Sequence, residues 1–199
     1  MCLLAVMLVA CAEFHEPLHH SARRATPLSF GVYVTPDQEH NPITPPERFT
    51  GYHVGTDFEV TEDELDMDVT VTAICTGTGV FSGFVEGYGG LFVEECMIKG
   101  EDVIVLYGHM TREGLARKGD AISAGQSIGL LAPARSVDSD GNRKHLHLGI
   151  RKGKQLDIRG YVQSEKDIAL FIDPQSFIPF LMTDAIMQPE EPYWDQDAP

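Results

Sequence analysis

Between Asp57 and Leu130 the sequence is a succession of short apolar runs, each broken by glycine, and that spacing leaves room for little except β-structure. Asp68–Cys75, Gly79–Val85, Leu91–Cys96 and Asp102–Tyr107 are rich in β-branched and aromatic residues. Gly87-Tyr88-Gly89-Gly90 and Lys99-Gly100-Glu101-Asp102 supply turns between them. Strands recurring roughly every ten residues predict an all-β domain, a largely antiparallel sandwich or barrel. Leu28–Val34 reads as a first strand and Lys118–Gly129 as a tight hairpin. Helices are expected only as short pieces at Glu165–Phe171 and Pro174–Met182, the second opened by Asp173-Pro174.

Composition narrows the function. A chain of 199 residues with 43% hydrophobic content fills one core. A net charge of −15 argues against nucleic-acid binding, which works by neutralising phosphates. The four cysteines, Cys2, Cys11, Cys75 and Cys96, form no Cys-x-x-Cys pair, so metal chemistry falls to histidine and carboxylate. A hairpin turning at Gly87–Gly90 sets Cys96 opposite about Phe81, so register does not bring it to Cys75, and that pair stays open. Residues 2–10 form an apolar run too short to span a bilayer but long enough for an export signal. Leu8-Val9-Ala10-Cys11 resembles a bacterial lipobox, although no Lys or Arg precedes Arg23, and it makes Cys11 a candidate lipid anchor. The expected division is a signal or lipobox-like segment at 1–11, a linker at 12–26, a domain at 27–182 and an acidic, disordered tail at 183–199.

Chemistry concentrates in three places. In Arg143–Ile150 polar and apolar residues alternate with a period of two, which puts His145 and His147 on one face of a strand and Leu146, Leu148 and Ile150 on the other. Two imidazoles in one space can hold a metal jointly, or one can ligate while the other moves protons. In Gly51–Phe58, His53 and Asp57 share parity, with Gly55 keeping that side clear. His109 follows an apolar strand at a glycine. His53, Asp57 and two of the other three histidines make an inventory from which a catalytic zinc site of three protein ligands plus water can be drawn. His15, His19 and His20 read better as part of a solvated tether, and His40 as a loop residue. Tyr52, Tyr88 and Arg143 are candidates for a substrate groove.

Gly51–Phe58, Tyr107-Gly108-His109 and His145-Leu146-His147, in this order and at these intervals, resemble the motifs of the lysostaphin-like (LytM-type) zinc metallopeptidases, which cut peptide bonds in bacterial peptidoglycan. The likeness runs from about Leu28 to Phe180 and takes in Gly87–Gly90, the Lys118–Gly129 segment and Ile172-Asp173-Pro174. It implies that His53, Asp57 and His147 ligate zinc and that His145 and His109 are catalytic. It also implies a stem-peptide or cross-bridge substrate and an exported, cell-envelope location. Two imidazoles and one carboxylate leave a Zn2+ site with a net charge of about +1, enough to polarise an amide carbonyl and to acidify water toward a pKa of about 7. The main alternative is a non-catalytic zinc-bearing envelope module that binds peptidoglycan or regulates another hydrolase. A third reading, from the sugar-phosphotransferase carriers with their facing histidines, is opposed by the His53–Asp57 pair and the export-like run.

Overall fold

The glycine-bearing turns of the central segment produce three long strands in succession. In the computed structural model, which describes residues 14–177, β1 (Tyr33–Val34), β2 (Gly51–His53), β3 (Gly55–Glu59) and β4 (Thr70–Thr72) come first. They are followed by β5 (Gly77–Val85), β6 (Gly89–Ile98) and β7 (Glu101–Met110), then β8 (Ala121–Ile122), β9 (Ser127–Leu130) and β10 (His145–Lys152). β11 (Tyr161–Val162), the single-turn helix α1 (Glu165–Ile168) and β12 (Phe171–Ile172) complete the described chain. The fold is all-β, and its strand pairs are antiparallel. Among the described residues no helix is long and apolar enough to cross a membrane.

The main sheet runs β12-β10-β7-β6-β5-β8, with β3 also paired to β10. β10 is therefore held along one edge by β7 and along the other by β3 and then β12. Leu146, Leu148 and Ile150, each at most 1% exposed, enter the main core with Phe58, Phe92, Val105 and Tyr107. The opposite face of β6 and β7 carries a second cluster of Leu91, Val93, Ile104 and Leu106 under Tyr88. The histidine face of β10 is as closed as the leucine face, with His145 at 1% and His147 at 4% exposure. Sequence alternation predicts a half-buried strand; the rings of Tyr88, 5.2 Å from His147, and Tyr161, 5.3 Å from His53, cover what would have been open.

Other expectations change in detail. The Leu28–Val34 strand shrinks to Tyr33–Val34, and Asp68–Cys75 is strand only over Thr70–Thr72. The Lys118–Gly129 segment reverses direction at Ser123–Gln126, but its arms separate: β8 pairs with β5 and β9 with β4. The helix expected at Glu165–Phe171 stops at Ile168, and Pro174–Ser176 is one 3-10 turn. The remainder of that second helix, the acidic tail and residues 1–13 lie outside the described residues. Residues 14–26, read as a linker, run along the body. His15 N–H donates to Ile74 O and Thr72 N–H to Pro17 O, both at 2.9 Å, while Leu18 is 1% exposed in the main core. Leu18 and Phe14, the latter against Phe177, suffice to seat a segment that has no periodic face.

Cys75 and Cys96 form a disulfide, with Cα atoms 6.2 Å apart. The β5–β6 hairpin turns earlier than Gly87–Gly90 suggests, pairing Val85 with Gly89, and a bulge between Gly79 and Phe81 shifts the register once more. Cys96 consequently lies opposite Gly77 rather than Phe81, within diagonal reach of Cys75. Beside the disulfide, on the face of β6 shared with Cys96, the fully buried Glu94 accepts a hydrogen bond of 2.5 Å from the Tyr107 hydroxyl. Burial pushes the Glu94 carboxyl from its ordinary 4.5 up to about 7, against the opposing effect of that bond. A carboxyl whose pKa rises on folding keeps its full stability below its unfolded value and loses it as pH climbs through the folded one. Unfolding free energy is thus expected to fall by about 3 kcal/mol between roughly pH 4.5 and 7 through this one group. Denaturant melts of Glu94→Gln should lack that component; a variant with an unaltered pH profile would refute the assignment.

Candidate metal centre

Register brings the sequence motifs together. β10 sets His147 directly opposite Asp57 of β3 and, on its other edge, opposite Gly108 of β7, next to His109. His53 closes β2, separated from the start of β3 by Val54 alone. The result is a triangle of donors: His53 Nε2 and His147 Nδ1 are 2.9 Å apart, and Asp57 Oδ1 lies 3.1 Å from His147 Nδ1 and 3.3 Å from His53 Nε2. All three residues are buried. Donors about 2.0–2.1 Å from a tetrahedral ion stand roughly 3.3 Å from one another, so the triangle fits a zinc-sized cation. The His53 ring fixes its own role, since Nδ1 faces the Ser29 carbonyl at 3.3 Å; with its proton donated there, the Nε2 lone pair points inward.

Electrostatics favours the same reading. The Asp57 carboxyl is held well below the usual carboxylate range although burial alone would raise it, because His145 and His53 lie alongside. Burial pushes His147 down to about 4, against its hydrogen bond with Asp57. His109 is likewise well below the usual imidazole range, first through burial and then through His145. An ionised Asp57 facing a neutral His147 is the pairing of protonation states a divalent cation requires.

The two histidines outside the triangle sit together, with ring centroids 4.3 Å apart. His145 Nδ1 faces Arg143 O at 3.0 Å, and its Nε2 lies 3.2 Å from Asp57 Oδ2. His109 reaches the site through a backbone device that strand periodicity does not reveal. Gly90 pairs with Met110 and Leu91 with Gly108, leaving His109 as a bulge residue with φ at 61°. A left-handed non-glycine residue costs about 1–3 kcal/mol, and bulges re-aim side chains beside active sites. His109 Nδ1 is buried and, among the described residues, has no hydrogen-bond partner. Asp57, His109, His145 and His147 line a groove of about 360 Å3 together with Glu47, Phe49, Tyr88 and Tyr161, and His53 lies buried beneath it.

Of the remaining candidates, Tyr88 lines the groove, whereas Tyr52 packs in a separate cluster with Val54, Val162 and Phe171. His40 stays at the surface against Asp37, and His15, His19 and His20 are exposed away from the centre. Arg143 contributes from behind the groove. Its guanidinium donates at 2.8 Å to Asp57 Oδ2, Glu47 Oε1 and Glu59 Oε1. Glu47 and Glu59 were not singled out from the sequence. Glu59 shares the parity of His53, Gly55 and Asp57 and was legible there; Glu47 lies in an irregular proline-rich approach that carries no such signal.

Gly55 keeps the centre open as its position predicts. A Cβ there would stand 2.5 Å from His147 Cε1 and 2.7 Å from the Leu148 carbonyl, and the latter cannot yield without breaking the ladder. Gly55→Ala is expected to weaken metal binding by about tenfold to a hundredfold, the range typical when the support that orients a ligand is disturbed. Chelator competition measures it, and unchanged affinity would mean that the His147 ring can step aside.

The family model described as Peptidase family M23 matches residues 51–158. No curated protein sequence matches the chain. Among solved structures, the chain resembles the solution structure of lysostaphin with a TM-score of 0.54 at 19% identity, covering 87% of this chain and 56% of that one. It resembles LytU with a TM-score of 0.50 at 22% identity (79% and 87% covered) and cbpa from L. salivarius REN with 0.53 at 18% (87% and 99% covered). At these identities the likeness is one of fold, and the chain spans little more than half the length of the lysostaphin chain.

Proposed function

Because the chain belongs to peptidase family M23, we propose that it is a zinc-dependent endopeptidase that hydrolyses peptide bonds in the stem peptides or cross-bridges of bacterial peptidoglycan. The observation that carries this reading is the convergence of His53, Asp57 and His147 on one ion-sized space with two further buried histidines beside it. The proposed peptidase domain spans residues 27–182.

His53 Nε2, Asp57 Oδ1 and His147 Nδ1 would hold the ion. Zinc bound there supplies Lewis acidity, polarising the scissile carbonyl and lowering the pKa of water toward about 7. His145 and His109 then handle protons. With the His145 Nδ1 proton engaged by Arg143 O, Nε2 is the atom that exchanges a proton with water or with the leaving amine. His109, kept neutral by burial, can accept a proton or aim an N–H at the developing oxyanion. Tyr88 and Tyr161 wall the groove and exclude water from the reacting carbonyl. The apolar run 2–10 and Cys11 support export to the cell envelope with acylation at Cys11, which the mass of the mature amino terminus reads directly.

Metal analysis of the purified protein and a digest of defined muropeptides followed by mass spectrometry test the proposal. One zinc per chain and products shortened by peptide hydrolysis are expected. Zinc without turnover, with muropeptides still bound, would transfer the assignment to a non-catalytic envelope module.

A further inference from the structure

The second concentration of donor atoms lies in the main core, away from the groove. Cys75, Glu94 and Cys96 are 3%, 0% and 6% exposed, and one donor atom of each lies within 4.8 Å of the others. Glu94 and Cys96 stand two apart on one face of β6, while Cys75 approaches from the segment before β5. Cys75 Sγ is 3.2 Å from Glu94 Oε1.

The disulfide does not account for the carboxyl. A disulfide has no proton to donate and is a poor acceptor, so it gains nothing from an acid that has given up its hydration. One Glu94 oxygen accepts from Tyr107, whose own oxygen receives the Ile74 N–H at 2.8 Å, but Oε2 has no partner among the described residues. Burying a carboxyl with one oxygen orphaned is costly, and its raised pKa reflects that cost. The same residue is well suited to a cation. Two thiolates and one carboxylate are a ligand set for zinc or cadmium, and a hydroxyl anchored on a backbone N–H, bonded to the carboxylate, is the outer support such sites carry.

We propose that when the Cys75–Cys96 disulfide is opened by a dithiol, Cys75, Cys96 and Glu94 become a second, thiolate-rich site for a soft divalent cation. Disulfide and metal are then alternative cross-links between the same two segments. The reductant dithiol transfers two electrons and two protons to the disulfide and leaves as its own disulfide. The cation then displaces both thiol protons, and that of Glu94 where present, to solvent. Sulfurs about 2.3 Å from a common tetrahedral ion are roughly 3.8 Å apart, a separation that residues with Cα atoms 6.2 Å apart can span. The site shares no ligand with the His53–Asp57–His147 centre and does not depend on the peptidase reading.

Cadmium is the probe, because its thiolate charge-transfer absorption is silent at a histidine–aspartate centre. In the full chain carrying Cys2→Ser and Cys11→Ser, the reduced protein is expected to bind one cadmium more than the oxidised protein and to show that band. Glu94→Gln should weaken this ion by about tenfold or more with the thiol count unchanged, and Cys96→Ser should abolish the band. A reduced protein that stays folded by circular dichroism with two free thiols and no band overturns the proposal, as does a reduced protein that unfolds and is not restored by cadmium. Equal affinity in Glu94→Gln removes the carboxylate from the site and overturns it as stated.

Discussion

His147→Ala is expected to lose both the metal and cleavage, whereas His145→Ala should keep one zinc per chain and lose turnover by about 10²–10⁴-fold, the usual worth of a positioned proton-transfer group. The two residues stand two apart on one face of β10 and both are buried, so a purely structural role would predict similar consequences. The difference comes from where their nitrogens point. His147 Nδ1 faces His53 and Asp57 Oδ1, while His145 Nε2 faces only the outer oxygen of Asp57 and its other nitrogen is tied to the backbone. Metal content and muropeptide hydrolysis on the same preparations decide it. If both variants retain zinc and cut normally, the assignment of the centre fails.

Arg143→Ala should destabilise the metal-free protein by about 3 kcal/mol, near the lower end of what breaking a buried ion pair costs because the guanidinium is partly exposed. Side-chain exposures are 21% for Arg143, 7% for Glu47, 3% for Asp57 and 20% for Glu59, so its removal leaves three acids facing one another with little water between them. Arg143→Lys should recover only part of the loss, since a point charge cannot reach three carboxylates as a planar fork does. With zinc bound, the ion takes over neutralisation of Asp57, and the penalty should shrink. Denaturant unfolding with and without zinc gives both numbers; equal losses in the two states would show that Arg143 and the metal do not share Asp57.

The ligand faces were legible because strand parity is a strict rule. Alternation across Arg143–Ile150 separated the histidines from Leu146, Leu148 and Ile150, and the same rule paired His53 with Asp57 across Gly55. What parity could not supply was register. An early turn at Val85–Gly89 and a bulge at Gly79–Phe81 joined Cys75 to Cys96 where counting from the glycines kept them apart. Left-handed backbone at His109 was equally hidden, because nothing in Tyr107-Gly108-His109-Met110 marks the histidine rather than the glycine as the extra residue. Leu18 is buried through contact with a sheet assembled from residues far along the chain, which no local pattern encodes. The charge network of Glu47, Glu59 and Arg143 spans 96 residues and appears only once β3 and β10 are paired.

The double flanking of β10 bears on time as well as position. Over His147–Gly149 it pairs with β3 on one side and with β7 on the other, so its amides cannot be released by fraying of an edge. Their hydrogen exchange should proceed only through opening of the whole sheet, with protection close to that of global unfolding. The imidazoles would then be held in place before any ion arrives, and metal loading would be limited by passage into the groove, with no folding step of its own.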